Sequence, residues 1–351
     1  MSRSTVAGLL ALGLIAVLVV IAAGKPVDYV TFRPGPTMNV LGEFDDKPIV
    51  SVSGRKTYRD DGALQMVTVY SGTPDEATNL FNVIHGWVDP DTAVFPRSIY
   101  DKDETDESNR EQSAAEMSSS QDNAIAAALD VLDIDYETEV AVNVVDKDGP
   151  SAGKLKKGDV LLAVNGKSTP GPARLIEQIR AVKPGTPTVL TVRRGGSERE
   201  VTVTTTPAPD DANASRIGIE IRIRFDFPFE VDIQLPSSIG GPSAGMMFAL
   251  AIYDVLTPGS LTGGEEIAGS GEISPSGVVG PIGAIGQKLP AAQRDGAKIF
   301  LVAEENCAEA LRSHYDPDKM RLVKVHTLSE AIKGVEAWRD DPDAALPRCT
   351  R

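Results

Sequence analysis

Two residues in the last third of the chain have the type and setting for nucleophilic chemistry. Ser243 stands in Gly240-Gly241-Pro242-Ser243-Ala244-Gly245, followed by Met246 to Leu256, a run apolar on all sides that reads as a buried helix. Pro242, its φ already set, suits the first helical position and would put Ser243 in the first turn. Gly241, Pro242 and the small residues after them leave room for a peptide backbone. Free N–H groups at a helix start suit a developing oxyanion. A serine hydroxyl needs a base to become nucleophilic. The three histidines, His85, His314 and His326, stand in no triad-like setting. A lysine serves if burial brings its pKa from about 10.4 towards roughly 7–8, a cost of about 4 kcal/mol. Lys288 fits best, since Gly280 to Ala292 is apolar and small around it and holds no acid. Taken singly, Ser243 also reads as a helix cap and Lys288 as a solvated surface lysine.

The chain carries a decoy. Gly149-Pro150-Ser151-Ala152-Gly153 repeats the pentapeptide around Ser243, but Lys154 to Asp159 after it is a charged turn and not a buried helix. Ser151 therefore reads as a turn residue. The same loop lacks the Gly-x4-Gly-Lys-Ser/Thr spacing that cradles phosphates, and no other segment supplies it. His-Glu-x-x-His, Cys-x-x-Cys and a Gly-x-Gly-x-x-Gly opening a strand–helix unit are also missing. The expectation is no metal, no cofactor and no ATP.

The elements that must position these residues follow a mixed pattern. After Arg3, Val6 to Ala23 is unbroken apolar sequence, about 27 Å as a helix and close to the thickness of a hydrocarbon core. It reads as a membrane anchor with the rest of the chain outside the cytoplasm. The competing reading is a cleaved signal with Ala22-Ala23-Gly24 as its cleavage site. Tyr29 to Phe32 reads as a strand ended by the breakers Arg33-Pro34-Gly35-Pro36. Pro48 to Val52 and Leu64 to Tyr70 alternate as strands do, and Thr78 to Val88 reads as a helix. Asp101 to Ser120, acidic and serine-rich, reads as an exposed loop, and Gln121 to Leu132 as an amphipathic helix. Thr206 to Asp211 reads as a linker. Cys307 and Cys349 either pair with each other, remain free, or bond another chain. The formal net charge of −15 argues against a nucleic-acid partner.

Two stretches resemble known families. Val140 to Val145, Lys157-Gly158-Asp159-Val160-Leu161-Leu162-Ala163-Val164-Asn165-Gly166, a helix over Ala173 to Val182 and two strands turned by Gly195-Gly196 resemble a PDZ domain over about Tyr136 to Thr206. The usual Gly-Leu-Gly-Phe-like carboxylate loop is missing. Gly241-Pro242-Ser243-Ala244-Gly245, Ser270-Gly271-Glu272-Ile273, Val279 to Gly283, Lys288 and Ala291-Ala292 resemble, in order and spacing, the proteolytic domain of the Lon family. The resemblance implies Ser243 as nucleophile, Lys288 as base, and Ser270 in the place of a threonine hydroxyl near the lysine. Energy-dependent relatives often carry an acid where this chain has Gly240.

The expected fold is α+β: an anchor over 1–25, an N-terminal α/β region over 26–135, a PDZ-like β-rich domain over 136–206, a Lon-type proteolytic α+β domain over 207–340 and a tail over 341–351. Region 26–135 is either a separate domain or the first part of a discontinuous peptidase domain, since Gly62 to Val69 and Met117 to Ala128 resemble the early strand and helix of a Lon peptidase. The whole arrangement resembles the PDZ-containing Lon-like proteases of Gram-positive bacteria. It implies an ATP-independent, membrane-anchored endopeptidase acting on protein or peptide substrates, with ring assembly common among Lon-type domains. The rival is a PDZ scaffold with a degenerate peptidase.

Overall fold

The computed structural model describes residues 2–73, 75, 78–100 and 104–350. They form two compact units, one running to Ile134 and resuming at Phe229, the other spanning Asp135–Pro228.

In the first unit, Arg3–Gly24 is one helix, α1, capped by Ser2, whose hydroxyl accepts from the Thr5 N–H. Its leucine, isoleucine and valine side chains are exposed, and it is long and apolar enough to cross a membrane. Pro26–Val27 (β1), Tyr29–Asn39 (β2), Val50–Ser53 (β3) and Ala63–Ser71 (β4) follow. Strand β2 runs through the cluster that the sequence marks as a break. Its register against β4 shifts between Pro34 and Thr37, so the prolines sit where the ladder is interrupted. Gly35 lies so close to β4 that a Cβ there would stand 2.7 Å from the Thr68 carbonyl carbon.

Thr78–Asn79 (β5) pairs with β1 and leads into Leu80–Val88 (α2), while Ala93–Pro96 (β6) returns along β2. The loop expected over 101–120 is mostly helix instead. Residues 101–103 lie outside the described residues, and Asp106–Val131 is a single helix, α3. Thr105 starts it with a reciprocal cap to Ser108, and Asp106 and Glu107 suit the positive end of the helix dipole. Farther along, Met117, Ser120 and Ala124 to Leu129 are buried and hold the helix down.

The second unit comprises Glu137–Val145 (β7), Val160–Val164 (β8), Pro172–Arg180 (α4), Pro187–Arg194 (β9), Ser197–Thr204 (β10) and Ile219–Asp226 (β11). The sheet order is β10-β9-β8-β7-β11, all antiparallel. Asn165 and Gly166, both at positive φ, turn a hairpin, as do Gly195 and Gly196. Leu175 and Ile179 of α4 pack on Val142, Leu161, Leu190 and Val203. The boundary expected after Thr206 falls short, because β11 pairs with β7 from Ile219 to Asp226 and belongs to this sheet. Ser151 is fully buried here and donates its hydroxyl to the Ile217 carbonyl at 2.6 Å.

The first unit resumes with Glu230–Ile233 (β12), paired with β3, and continues through Gly245–Leu256 (α5), Glu266–Ser270 (β13), Glu272–Ile273 (β14), Val279–Gly280 (β15), Ile285–Arg294 (α6), Ile299–Ala303 (β16), Cys307–Ala310 (α7), Arg321–Val325 (β17) and Leu328–Asp340 (α8). The main sheet has the order β17-β16-β13-β4-β2-β6, its first four strands parallel. Neighbouring residues of a strand point to opposite faces. Gly269 of β13 meets Met246 and Met247 of α5, while Ala268 joins Leu289, Ala291 and Ala292 of α6 in one apolar cluster. Helices α5 and α6 therefore cover opposite faces of the sheet. Cys307 and Cys349 are bonded, with Cα atoms 5.1 Å apart, which ties the tail to the α6 side. The chain is thus α+β, with an apolar N-terminal helix and, among the described residues, two six-stranded sheets, one mixed and one antiparallel, beside several two-stranded ones.

Candidate active site

Ser270 is the last residue of β13, at the carboxyl end of the parallel part of the sheet. Helix α5 begins beside it on one face and α6 on the other, so groups from both helices meet at that strand end. Such crevices are where open parallel sheets place their ligands.

Ser243 lies two residues before α5, in a turn, and not in the first helical turn as the sequence suggested. The Pro242 carbonyl accepts from Ser120 Oγ at 2.9 Å, and the Ser243 carbonyl from the Gly271 N–H and Ser270 Oγ, each at 3.0 Å. The Pro242 carbonyl also closes a turn with the Gly245 N–H at 3.3 Å, while the Ser243 carbonyl is engaged across the site, so regular helix waits until Gly245. Gly241, at φ +85°, donates its N–H to the Ser113 carbonyl of α3. Gly245 is equally constrained, since a Cβ would stand 2.8 Å from Ser120 Oγ. The N–H groups of Ser243 and Ala244 have no hydrogen-bond partner among the described residues. Ser243 itself is half-buried.

Lys288 lies on α6 and is only 3% exposed. Its Nζ stands 2.9 Å from Ser243 Oγ and 2.9 Å from Ser270 Oγ. Burial lowers its pKa to about 8, with the nearby Glu272 carboxylate acting in the opposite sense. Glu272 has its own pKa raised, first by partial burial and then by Glu116, with Lys288 opposing. Glu116 and Glu272 line a groove of about 290 Å³ that also touches Gln112, Ser119, Asn123 and Pro242, directly beside the Ser243 turn.

The structure brings together Ser243, Lys288, Ser270, Gly241 and Pro242. Cys307 and Cys349 lie apart from them, and Ser151 belongs to the other unit. Sequence reasoning missed Ser113, Glu116, Ser120 and the electrostatic part played by Glu272. Glu272 had a visible signal in its place beside Ser270. Ser113 and Glu116 had none, because their stretch read as a loop, and Ser120 had only its place in Met117 to Ala128, the segment that resembles the early helix of a Lon peptidase.

Residues 214–335 match the family model of the Lon protease (S16) C-terminal proteolytic domain, and residues 114–205 that of a PDZ domain. The chain carries a Lon-type proteolytic domain and a PDZ domain. Solved PDZ structures are similar over part of its length. One is from an SdrC-like protein of Listeria monocytogenes, 23% identical, covering 23% of this chain and 85% of that one, with a TM-score of 0.22. Another is from an SdrC-like protein of Listeria innocua, 26% identical, covering 24% and 93%, with a TM-score of 0.23. No curated protein matches the chain. The Lon-type match includes Ser243, Ser270, Glu272 and Lys288. The match to the PDZ family begins within α3, ahead of the compact second unit.

Holding Lys288 out of water has a stability cost. With a folded pKa of about 8 against 10.5 in the open chain, the cost at neutral pH is about 3 kcal/mol. It is full below pH 8, where both states are protonated. It fades as pH rises to 10.5, because the folded state gives up its proton first. Replacement by methionine removes this cost but loses two hydrogen bonds worth about 1 kcal/mol each. Lys288→Met should therefore be more stable than the wild type by about 1 kcal/mol at pH 7, and should lose that advantage by pH 10.5. Urea unfolding at both values checks this, and a variant less stable at pH 7 contradicts it.

Proposed function

We propose that the chain is an ATP-independent serine endopeptidase in which Ser243 is the nucleophile and Lys288 the general base. One observation carries this reading: the amine of a buried lysine stands 2.9 Å from the hydroxyl of a half-buried serine in the Lon-type domain. The Ser270 hydroxyl gives its proton to the Ser243 carbonyl, so towards Lys288 it acts as an acceptor. That bond occupies one N–H of the amine and leaves the lone pair of neutral Lys288 free to face Ser243. Lys288 takes the Ser243 proton as Oγ adds to the scissile carbonyl. The free N–H groups of Ser243 and Ala244 are the candidates to receive the oxyanion. The lysine ammonium then protonates the leaving amine, and water activated by the same amine resolves the acyl-enzyme.

Substrates on this reading are unfolded or extended protein chains, with the PDZ domain recruiting them by strand addition and ring assembly restricting access. Helix α1 anchors the protein as a single span with the catalytic part outside the cytoplasm, where an oxidising environment supports the Cys307–Cys349 bond.

Three outcomes test the reading. Ser243→Ala and Lys288→Ala should each abolish peptide hydrolysis in a folded protein. Ser151→Ala should lose about 1–3 kcal/mol of stability in the second unit, from the buried Ile217 carbonyl left unpaired, yet keep its turnover. An active Ser243→Ala variant excludes Ser243 as the nucleophile. The rate should rise with pH through the neutral–alkaline range as Lys288 loses its proton. Glu272→Gln removes a carboxylate that favours the charged amine, so its profile should move to lower pH, and a move to higher pH contradicts the role given to Lys288. For topology, protease added to intact protoplasts should digest the chain, whereas full protection places the catalytic part in the cytoplasm.

A further inference from the structure

Helix α2 has three distinct sides. Val83 and Gly86 face inward and are buried, and Gly86 lies so close to Thr92 and Val94 that a Cβ would collide with both side chains. Asn82 and His85 form a short polar side. At 100° per residue the remaining five, Leu80, Phe81, Ile84, Trp87 and Val88, fall within an arc of about 120°. All five are exposed, Phe81 by 59%, Trp87 by 62% and Val88 by 80%. A contiguous aromatic and aliphatic face of this kind is not left in water without a partner.

The position of the helix indicates that partner. Pro26, two residues after α1 ends, pairs with Asn79, which caps α2. Val27 pairs with Thr78. Tyr29 meets the Trp87 ring edge-on, with centroids 6.1 Å apart. Strand β1 thus fastens α2 to the foot of the apolar helix, within a few residues of the point where α1 would leave a bilayer. A tryptophan on such a helix suits the interfacial layer, where an apolar body and a polar N–H are both accommodated.

We propose that the Leu80–Val88 helix lies in the lipid interface of the leaflet through which α1 emerges, with Leu80, Phe81, Ile84, Trp87 and Val88 inserted among the acyl chains. The proposal rests on α1 being a membrane span. The helix contributes no Lys or Arg, and Asp89 and Asp91 follow it. Binding is therefore driven by apolar burial and is nearly independent of salt. The domain is held at the membrane at two points, α1 and α2, rather than swinging from a single tether.

The chain's two tryptophans allow a direct test. A Trp338→Phe variant leaves Trp87 as the reporter, and a Trp87→Phe variant supplies the Trp338 signal for subtraction from wild type should the first fold poorly. The full chain is reconstituted into phosphatidylcholine vesicles with and without 6,7-dibromo acyl chains. Trp87 emission is expected to fall at least twofold with the brominated lipid, to resist aqueous iodide, and to hold both properties at low and high salt. Ile84→Asp with Val88→Asp, both at exposed positions, should restore iodide access to Trp87. Chain that floats with the vesicles while Trp87 is open to iodide and untouched by bromine overturns the proposal and spares the anchor. Shielding from both quenchers overturns it in favour of a second copy of the chain on this face. Chain that remains soluble overturns both the anchor and the docking of α2.

Discussion

A lysine amine cannot keep its proton cheaply where water is excluded, and the candidate site is arranged around that constraint. Lys288 is withdrawn onto the inner side of α6, and desolvation brings it to about 8. Without that burial the amine would stay an ammonium until pH neared 10.5, whereas at about 8 a neutral fraction with a free lone pair is already present in the mildly alkaline range. The surroundings also keep the effect from going too far. Glu272 favours the charged form, so the amine remains basic enough to take a proton. The stability cost falls on a segment held by Leu289, Ala291, Ala292, Phe300 and Val302 in one apolar cluster, which also includes Cys307 and touches Cys349. A rigid cluster of this kind can carry an unfavourable residue without shifting it.

The parallel sheet fixes where the two helices start. Ser270 ends β13, and its hydroxyl is bound both to the Ser243 carbonyl and to Lys288. One hydroxyl thereby sets the distance between groups that arrive from opposite faces. Ala284, just ahead of α6, holds a left-handed conformation at φ +58°. That conformation is unfavourable for alanine by roughly 1–2 kcal/mol, and it stands next to the segment that presents Lys288.

Ser243 and Lys288, which lie 2.9 Å apart, stood out in the sequence because their types are unusual for their settings. A serine between glycines ahead of an apolar run, and a lysine in a stretch of small apolar residues, contradict the surface role each would otherwise have. The first half of α3 was not readable, because its serines and acids carry no apolar period. Its helicity comes from the Thr105–Ser108 cap and from the buried second half, and only the latter leaves a pattern. The extension of β2 through Pro34 and Pro36 was hidden for the opposite reason: local breakers were overridden by pairing with β4, which holds up to Pro34 and resumes at Thr37. Strand β11 was visible as an alternating segment, but its partner β7 lies more than seventy positions earlier, and alternation carries no information about pairing. The start of α5 was misplaced because Pro242 suits a first helical turn locally, while Ser120, Ser270 and Gly271 draw the preceding carbonyls elsewhere.

The contact between α3 and the Ser243 turn bears on position 240. A Cβ on Gly240 would stand 2.8 Å from Ser113 Cβ and 3.3 Å from the Ser113 carbonyl carbon and oxygen. Any side chain at 240, an acid included, would have to force a fixed helix outward. The close approach of α3 and a charged gatepost beside the serine are therefore mutually exclusive. In this chain a helix backbone occupies the space where a carboxylate would go, so the negative charge along this groove comes from its walls, Glu116 and Glu272, instead of from the loop that carries Ser243.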